Sequence, residues 1–334
     1  MTARTRAIRA LATGLHATGA LGPVTTAALR LRGGNAFSIL AFHRVNDEAD
    51  PFFPSLSPGL FAARMKHIAD NYVVLPLEDL VERQRRGRVP RNAVALTFDD
   101  GYHDTLTHAA PILARHGLPA TVFLATGYIS GAEMPWYDLL AHALKTSRKD
   151  SLELLPGATL RLGSRTERLE ALTAVLRHMK RLSDPDRRRA VDRLVTELAP
   201  PSADAQKRLM LTWDEAQALL GLGFSIGAHT VTHPILARLE PREAWAEIDG
   251  SRTAIERNLG IRVRSFAYPN GGVDDYDRAT VDALERSGFT CAVTTRRGLN
   301  TPRTPRLELR RGGPWEQHLP TYAMKMAWYQ LTGI

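Results

Sequence analysis

Seven short apolar runs, near residues 38–42, 72–75, 93–98, 120–125, 224–228, 264–268 and 290–294, are mostly separated by segments of helical periodicity. The helical patterns cover Ser57 to Asn71, Leu77 to Arg86, Thr105 to His116, Pro241 to Leu259 and Arg278 to Gly288. A run such as Ala93-Val94-Ala95-Leu96-Thr97-Phe98 has no polar face, which suits a parallel strand covered on both sides. Strand alternating with helix predicts an α/β fold whose parallel sheet curls into an incomplete barrel. At 334 residues and 44% hydrophobic content, the chain can bury one large core, and a barrel takes roughly 200–250 residues of it. Between Lys145 and Met210 the alternation stops. Helical patterns there, around Thr166 to Leu182 and Pro185 to Leu198, end at the breaker Ala199-Pro200-Pro201-Ser202, and they read as a helical insertion at about 145–210 packed on the barrel. The expected organisation is a basic extension over 1–36, a barrel over 37–300, and a tail over 301–334 ending in an amphipathic helix from Tyr322 to Leu331.

Two motifs fall just after predicted strands, where the site of an α/β barrel belongs. Thr97-Phe98-Asp99-Asp100-Gly101 closes one strand, and His229-Thr230-Val231-Thr232-His233 follows Gly223 to Ala228. Two imidazoles and one carboxylate make a nitrogen and oxygen donor set for a first-row divalent ion, zinc by default, with positions left for water and substrate. Asp99 is then the base that takes a proton from water. Consecutive strand residues point to opposite faces, so Asp99 and Asp100 can share a site only if the strand ends here, with Gly101 providing the turn. His229 and His233, four apart, would share a face if a helical turn follows, with Pro234 in its first turn.

These segments resemble the first two motifs of the polysaccharide deacetylase family, carbohydrate esterase family four, over roughly residues 37 to 300. The resemblance implies a distorted, incomplete (β/α)7 barrel, with Asp99 as general base and Asp100, His229 and His233 as metal ligands. The third family motif, usually Arg-x-Pro-Tyr, is Phe266-Ala267-Tyr268-Pro269-Asn270-Gly271 here. Ala267 stands at the arginine position, so the guanidinium that orients the base is absent from its place. The amide at Asn270 would hold the oxyanion, a role any residue except proline can fill. The usual Leu-x-His is also missing. Ile39-Leu40-Ala41-Phe42-His43-Arg44-Val45 resembles the opening segment of the biofilm poly-N-acetylglucosamine deacetylases, in which the last motif is permuted, and His43 is accordingly assigned as the acid that protonates the leaving amine. The implied reaction removes N-acetyl groups from the amino sugars of a polymeric or lipid-linked glycan, giving acetate and a free amine. Tyr102, Tyr268, Trp136 and Trp213 are expected against the sugar, Trp136, Tyr137 and Trp213 bracketing the insertion.

The net charge of +9 is uneven: residues 1–36 carry +5 and residues 145–210 carry +6. That distribution suits an anionic surface, such as acidic glycan, lipid diphosphate or the cytoplasmic leaflet. A membrane-surface helix over residues 3–31, with disorder or packing on the barrel as its alternatives, and a cytoplasmic, peripherally bound protein are the expectations; export stays open. The single Cys291 makes no intramolecular disulfide and reads as a core residue. Two other functions compete: a carbohydrate-binding protein that has lost activity, motivated by the missing arginine and displaced acid, and a basic nucleic-acid-binding protein. Nucleic acid is not the expected partner, because the basic segments lack interleaved aromatics.

Overall fold

The computed structural model describes residues 3–18, 35–131, 133–200 and 208–333. Strands β1 (Phe37–Phe42), β2 (Val73–Val74), β3 (Ala93–Phe98) and β4 (Thr121–Leu124) precede the insertion, which carries β5 (Ser151–Leu155) and β6 (Ala158–Arg161). Strands β7 (Ser225–Ala228), β8 (Ser265–Ala267) and β9 (Cys291–Val293) follow it. The main sheet is parallel throughout, in the order β1-β3-β4-β7-β8-β9, with β2 paired to the start of β3. Helices α2 (Pro58–Asn71), α3 (Leu77–Arg85), α4 (Ala110–Arg115), α8 (Trp213–Gly221), α9 (Pro241–Leu259) and α10 (Arg278–Arg286) connect these strands. All seven expected strands are present, as is the incomplete barrel.

The period of two along each strand sorts the apolar side chains into two cores. Leu40, Phe42, Val94, Leu96, Phe98, Val122 and Ile226 face the helices. Phe37, Ile39, Ala93, Ala95, Phe123, Ala267, Cys291 and Val293 fill the concave interior, large side chains set against small ones. Ala93, Ala95 and Thr97 share this inward parity, and Asp99 inherits it at the rim.

The barrel frame does not stop at residue 300. Phe37 and Asn300 exchange backbone hydrogen bonds of 3.0 and 2.9 Å, Gly312 N–H donates to Ile39 O at 3.0 Å, and Leu309 N–H donates to Ala292 O at 2.9 Å. Residues 300–312 therefore span the open seam between β9 and β1. The first part of the expected tail belongs to the barrel, because the exposed edges of β1 and β9 offer backbone groups that must be paired.

The insertion begins earlier than expected, at α5 (Trp136–Thr146), and continues into α6 (Arg165–Met179) and α7 (Asp184–Leu198). It also contains the β5–β6 hairpin, which the helical reading lacked. Leu152 and Leu154 point inward between exposed neighbours, and Gly157, with φ of 78°, takes the turn. The insertion has its own apolar core, including Leu140, Leu144, Leu152, Leu172, Val175 and Leu194. Outside the insertion, α1 (Ala3–Ala17) packs along α11 (Leu319–Thr332), burying Ala12 while Leu11 stays 60% exposed. The rest of the expected surface helix, from residue 19, lies outside the described residues. Among the described residues no helix is long and apolar enough to cross a membrane.

Candidate active site

Strand β3 ends at Phe98, and Asp99 N–H still donates to Phe42 O at 2.9 Å, which keeps Asp99 on the ladder with its side chain inward. The reversal starts one residue earlier than expected. Asp100 itself is left-handed, with φ of 72°, followed by Gly101 at 86°, so two consecutive residues in this region swing Asp100 to the same side as Asp99. A side chain at position 101 would meet Ile129 Cδ1 and Leu124 Cδ2 at 2.9 Å, which restricts the position to glycine on space as well as on conformation.

The histidines converge without the expected helical turn. After β7 the chain makes an irregular loop in which Thr230 and His233 have φ of 67° and 53°. Left-handed residues cost backbone energy, and side chains hold them in place. Glu247 on α9 accepts from Val231 N–H and Thr232 N–H at 2.8 Å each and from Thr232 Oγ1 at 2.7 Å, while His233 N–H donates to Thr230 Oγ1 at 3.0 Å. Pro234 leads into a single 3-10 turn, Leu236–Arg238.

His229 Nδ1–H donates to Ala267 O at 2.6 Å, which leaves Nε2 as the bare nitrogen. The Nε2 atoms of His229 and His233 both lie 3.5 Å from Asp100 Oδ1. One donor atom from each of Asp100, His229 and His233 lies within 4.8 Å of the others, all buried. Asp100 Oδ1 has no hydrogen-bond partner among the described residues. A buried carboxylate oxygen left unpaired against two bare imidazoles fits a divalent cation. Burial, with His229 beside it, lowers the His233 pKa to about 3, so its ring is in the neutral, ligating form at neutral pH.

Asp99 has the guanidinium that position 267 cannot supply. Arg311 donates through Nη1 to Oδ1 at 2.7 Å and through Nη2 to Oδ2 at 2.8 Å, while its Nε binds Thr294 O at 2.9 Å. The arginine missing from the third motif is thus replaced from the segment that fills the barrel seam. Burial alone would push the Asp99 carboxyl up, but Arg311 overrides it and holds the group well below the usual carboxylate range. His43 is 51% exposed, and its Nε2 lies 3.9 Å from Asp99 Oδ2.

A cavity of about 530 Å³ joins these groups, and Asp99, Asp100, His229, His233, His43 and Asn270 all line it. Asn270 is left-handed, φ 59°, and its buried Nδ2 has no partner among the described residues. The four aromatics expected against the sugar divide. Tyr268 reaches the cavity, but its hydroxyl is bound to Leu307 O at 2.7 Å and its ring stacks on Tyr276. The Tyr102 ring lies under the Arg44 guanidinium at 4.1 Å and its hydroxyl binds Asp138 Oδ2 at 2.9 Å. Trp136 donates from Nε1 to His233 O at 3.1 Å, with Arg187 over its ring at 4.9 Å. Trp213 does not reach the cavity: it opens α8, which is capped by Thr212 and Glu215, and packs half-buried on the main core. Three of the four are therefore engaged by protein groups, and the fourth lies elsewhere.

Several contributors escaped the sequence. Arg44 and Asp138 pair at 3.0 Å in the cavity wall, and burial pushes the Asp138 carboxyl up to about 6 against the pull of Arg44. Arg44 adjoins His43 at a strand end, and that position was its one available signal. Glu247 and Arg311 had none, because nothing local links them to the motifs.

The sequence profile of the polysaccharide deacetylase family matches residues 86–292. The putative polysaccharide deacetylase YxkH of Bacillus subtilis is 20% identical over 262 residues, 78% of this chain and 64% of that protein. The poly-beta-1,6-N-acetyl-D-glucosamine N-deacetylase of Escherichia coli K12 is 35% identical over 89 residues, 26% of this chain and 13% of that protein. The matches thus span less than two thirds of either relative. Among solved structures, IcaB from Ammonifex degensii superposes with a TM-score of 0.57 at 16% identity, covering 87% of this chain and 98% of that one.

Proposed function

The chain belongs to the polysaccharide deacetylase family, and from that premise we propose that it removes N-acetyl groups from amino sugars, releasing acetate and leaving a free amine. One observation carries the reading: a clamped carboxylate, Asp99, stands beside the buried donor set Asp100, His229 and His233 in a single open cavity. A divalent cation held by those three residues, zinc first among candidates, would supply Lewis acidity toward the amide carbonyl and toward water. Asp99, kept ionised by Arg311, accepts the proton that the attacking water loses. The backbone amide at Asn270 would donate to the oxygen on which negative charge develops. His43 gives its proton to the nitrogen as the carbon–nitrogen bond breaks, so the amine leaves neutral. The alternative of an inactive carbohydrate-binding protein drew on a missing guanidinium and a displaced acid; Arg311 removes the first ground, and His43, with Nε2 3.9 Å from Asp99 Oδ2, is the candidate that answers the second.

Acetate release from N-acetylated glycans by zinc-loaded protein, compared with Asp99→Asn, tests the assignment. A loss of about 10²-fold or more is expected. Undiminished turnover by the variant takes Asp99 out of the base role, and no release by the unaltered protein from any acetamido sugar ends the reading.

A further inference from the structure

The cavity continues beyond the ion-binding residues into the insertion. Its wall there is made by Phe52 and Phe53 from the loop after β1, Ala141 of α5, and Leu172 and Leu176 of α6, with Lys180 at the end of that helix. Phe52, Ala141 and Leu172 belong to the insertion's own apolar core, and Phe53 and Leu176 pack against it only half-buried. The hydrophobic centre of the insertion thus reaches the active-site cavity, bordered there by the Arg44–Asp138 pair, whose guanidinium lies 5.0 Å over the Phe53 ring.

This wall suits a hydrocarbon better than a further sugar. A glycan presents hydroxyls around each ring, and a hydroxyl taken out of water against aliphatic side chains needs a partner. Asp99, Asp100, His43, His229 and Asn270 line the other end of the cavity, and the charged side chains beside Phe53, Arg44 and Asp138, are already paired to each other at 3.0 Å. Leu172, Leu176 and Lys180 recur every fourth residue and so lie along one face of α6, a stripe that ends on an exposed ammonium. Residues 145–210 carry +6 overall, which adds attraction for an anion.

Building on the deacetylase reading, we infer that the acetamido sugar is delivered on a hydrocarbon chain through an anionic linkage such as a phosphate. The sugar sits at Asp99 and Asp100, the chain lies against Phe52, Phe53, Leu172 and Leu176, and Lys180 attracts the anionic linkage as a point charge.

The test compares kcat/KM for acetate release by the full zinc-loaded chain from N-acetylglucosamine 1-phosphate esterified with methyl or octyl, from the neutral octyl glycoside, and from an N-acetylglucosamine tetramer. Each buried methylene contributes up to about fourfold, so the octyl phosphate is expected to exceed the methyl phosphate at least tenfold, mainly through KM. It is also expected to exceed the neutral octyl glycoside, and Leu176→Asn is expected to bring the octyl-to-methyl ratio close to one. Equal values for octyl and methyl, or a tetramer turned over as well as the octyl phosphate, would overturn the hydrocarbon. Equal values for charged and neutral octyl compounds would overturn the anionic linkage. Quenching of tryptophan fluorescence by the octyl phosphate, with Trp136 and Trp315 in the cavity lining, reads binding separately from chemistry. Chain-length-dependent binding without acetate release would leave the hydrocarbon standing and sink the deacetylase reading alone.

Discussion

Arg311 and Asp99, 212 positions apart in the chain, form a two-pronged ion pair inside the barrel, with both nitrogen to oxygen distances under 3 Å and both side chains almost wholly buried. The pair links the segment that fills the seam to the end of β3, so it joins barrel closure to the proposed base. Replacing Arg311 with Met leaves a buried carboxylate without its partner, a change that costs roughly 3–5 kcal/mol in proteins generally. Because the folded Asp99 is more acidic than an unfolded one, the pair stabilises the fold above about pH 4 and its contribution is lost as the pH falls further. Without the guanidinium, burial raises the carboxyl, and the acid limb of kcat/KM is expected to move to higher pH. Acetate-release profiles between pH 4 and 8 for Arg311→Lys and Arg311→Met check this, and an unmoved limb would contradict it.

His43 is assigned the proton that the departing nitrogen requires, so its removal should matter most when the leaving group is poor. His43→Ala is expected to lose about 10²- to 10⁴-fold on an acetamide and far less on 4-nitrophenyl acetate, whose phenolate leaves unprotonated. Equal losses on the two substrates would reassign His43 to positioning.

Trp136 ties the insertion to His233, a proposed metal ligand. Its indole donates to the His233 carbonyl, Tyr137 next to it rests its ring 4.9 Å from the His233 ring, and Arg187 of α7 covers the indole. Trp136→Phe keeps the ring and removes the donor. By analogy with other groups that orient metal ligands, zinc affinity measured by chelator competition is expected to fall about 10- to 100-fold, with far-ultraviolet circular dichroism unchanged. Unaltered affinity would reduce Trp136 to a packing residue.

Asp138 should mark the stability curve in the opposite sense to Asp99. Its folded carboxyl, raised by burial to about 6, holds a proton that the unfolded chain releases near pH 4. The folded state therefore binds more protons between those values, and stability from this group declines as the pH rises through them. Urea midpoints for the unaltered protein and Asp138→Asn should diverge from pH 4.5 to 7, with the unaltered protein losing ground. Parallel midpoints would show that Arg44 keeps Asp138 ionised throughout.

The amino-acid sequence by itself determined the strands, the parallel barrel and the meeting of Asp99, Asp100, His229 and His233. It did so because parallel strands all deliver their C-terminal ends to one rim, so motifs remote in the chain become neighbours once each is placed after a strand. It also carried Cys291 into the interior, through the alternation of Thr290 to Thr294. Only the tertiary structure decided which groups support that rim. Arg311 reaches Asp99 because residues 300–312 pair with two strand edges that are far apart in sequence, and Glu247 braces the histidine loop from a helix with no local relation to it. The uses of Tyr102, Tyr268 and Trp136 were likewise settled by which polar atom each hydroxyl or indole nitrogen met on burial. Such pairings depend on three-dimensional proximity and leave no periodic trace along the chain, whereas strand ends and buried faces do.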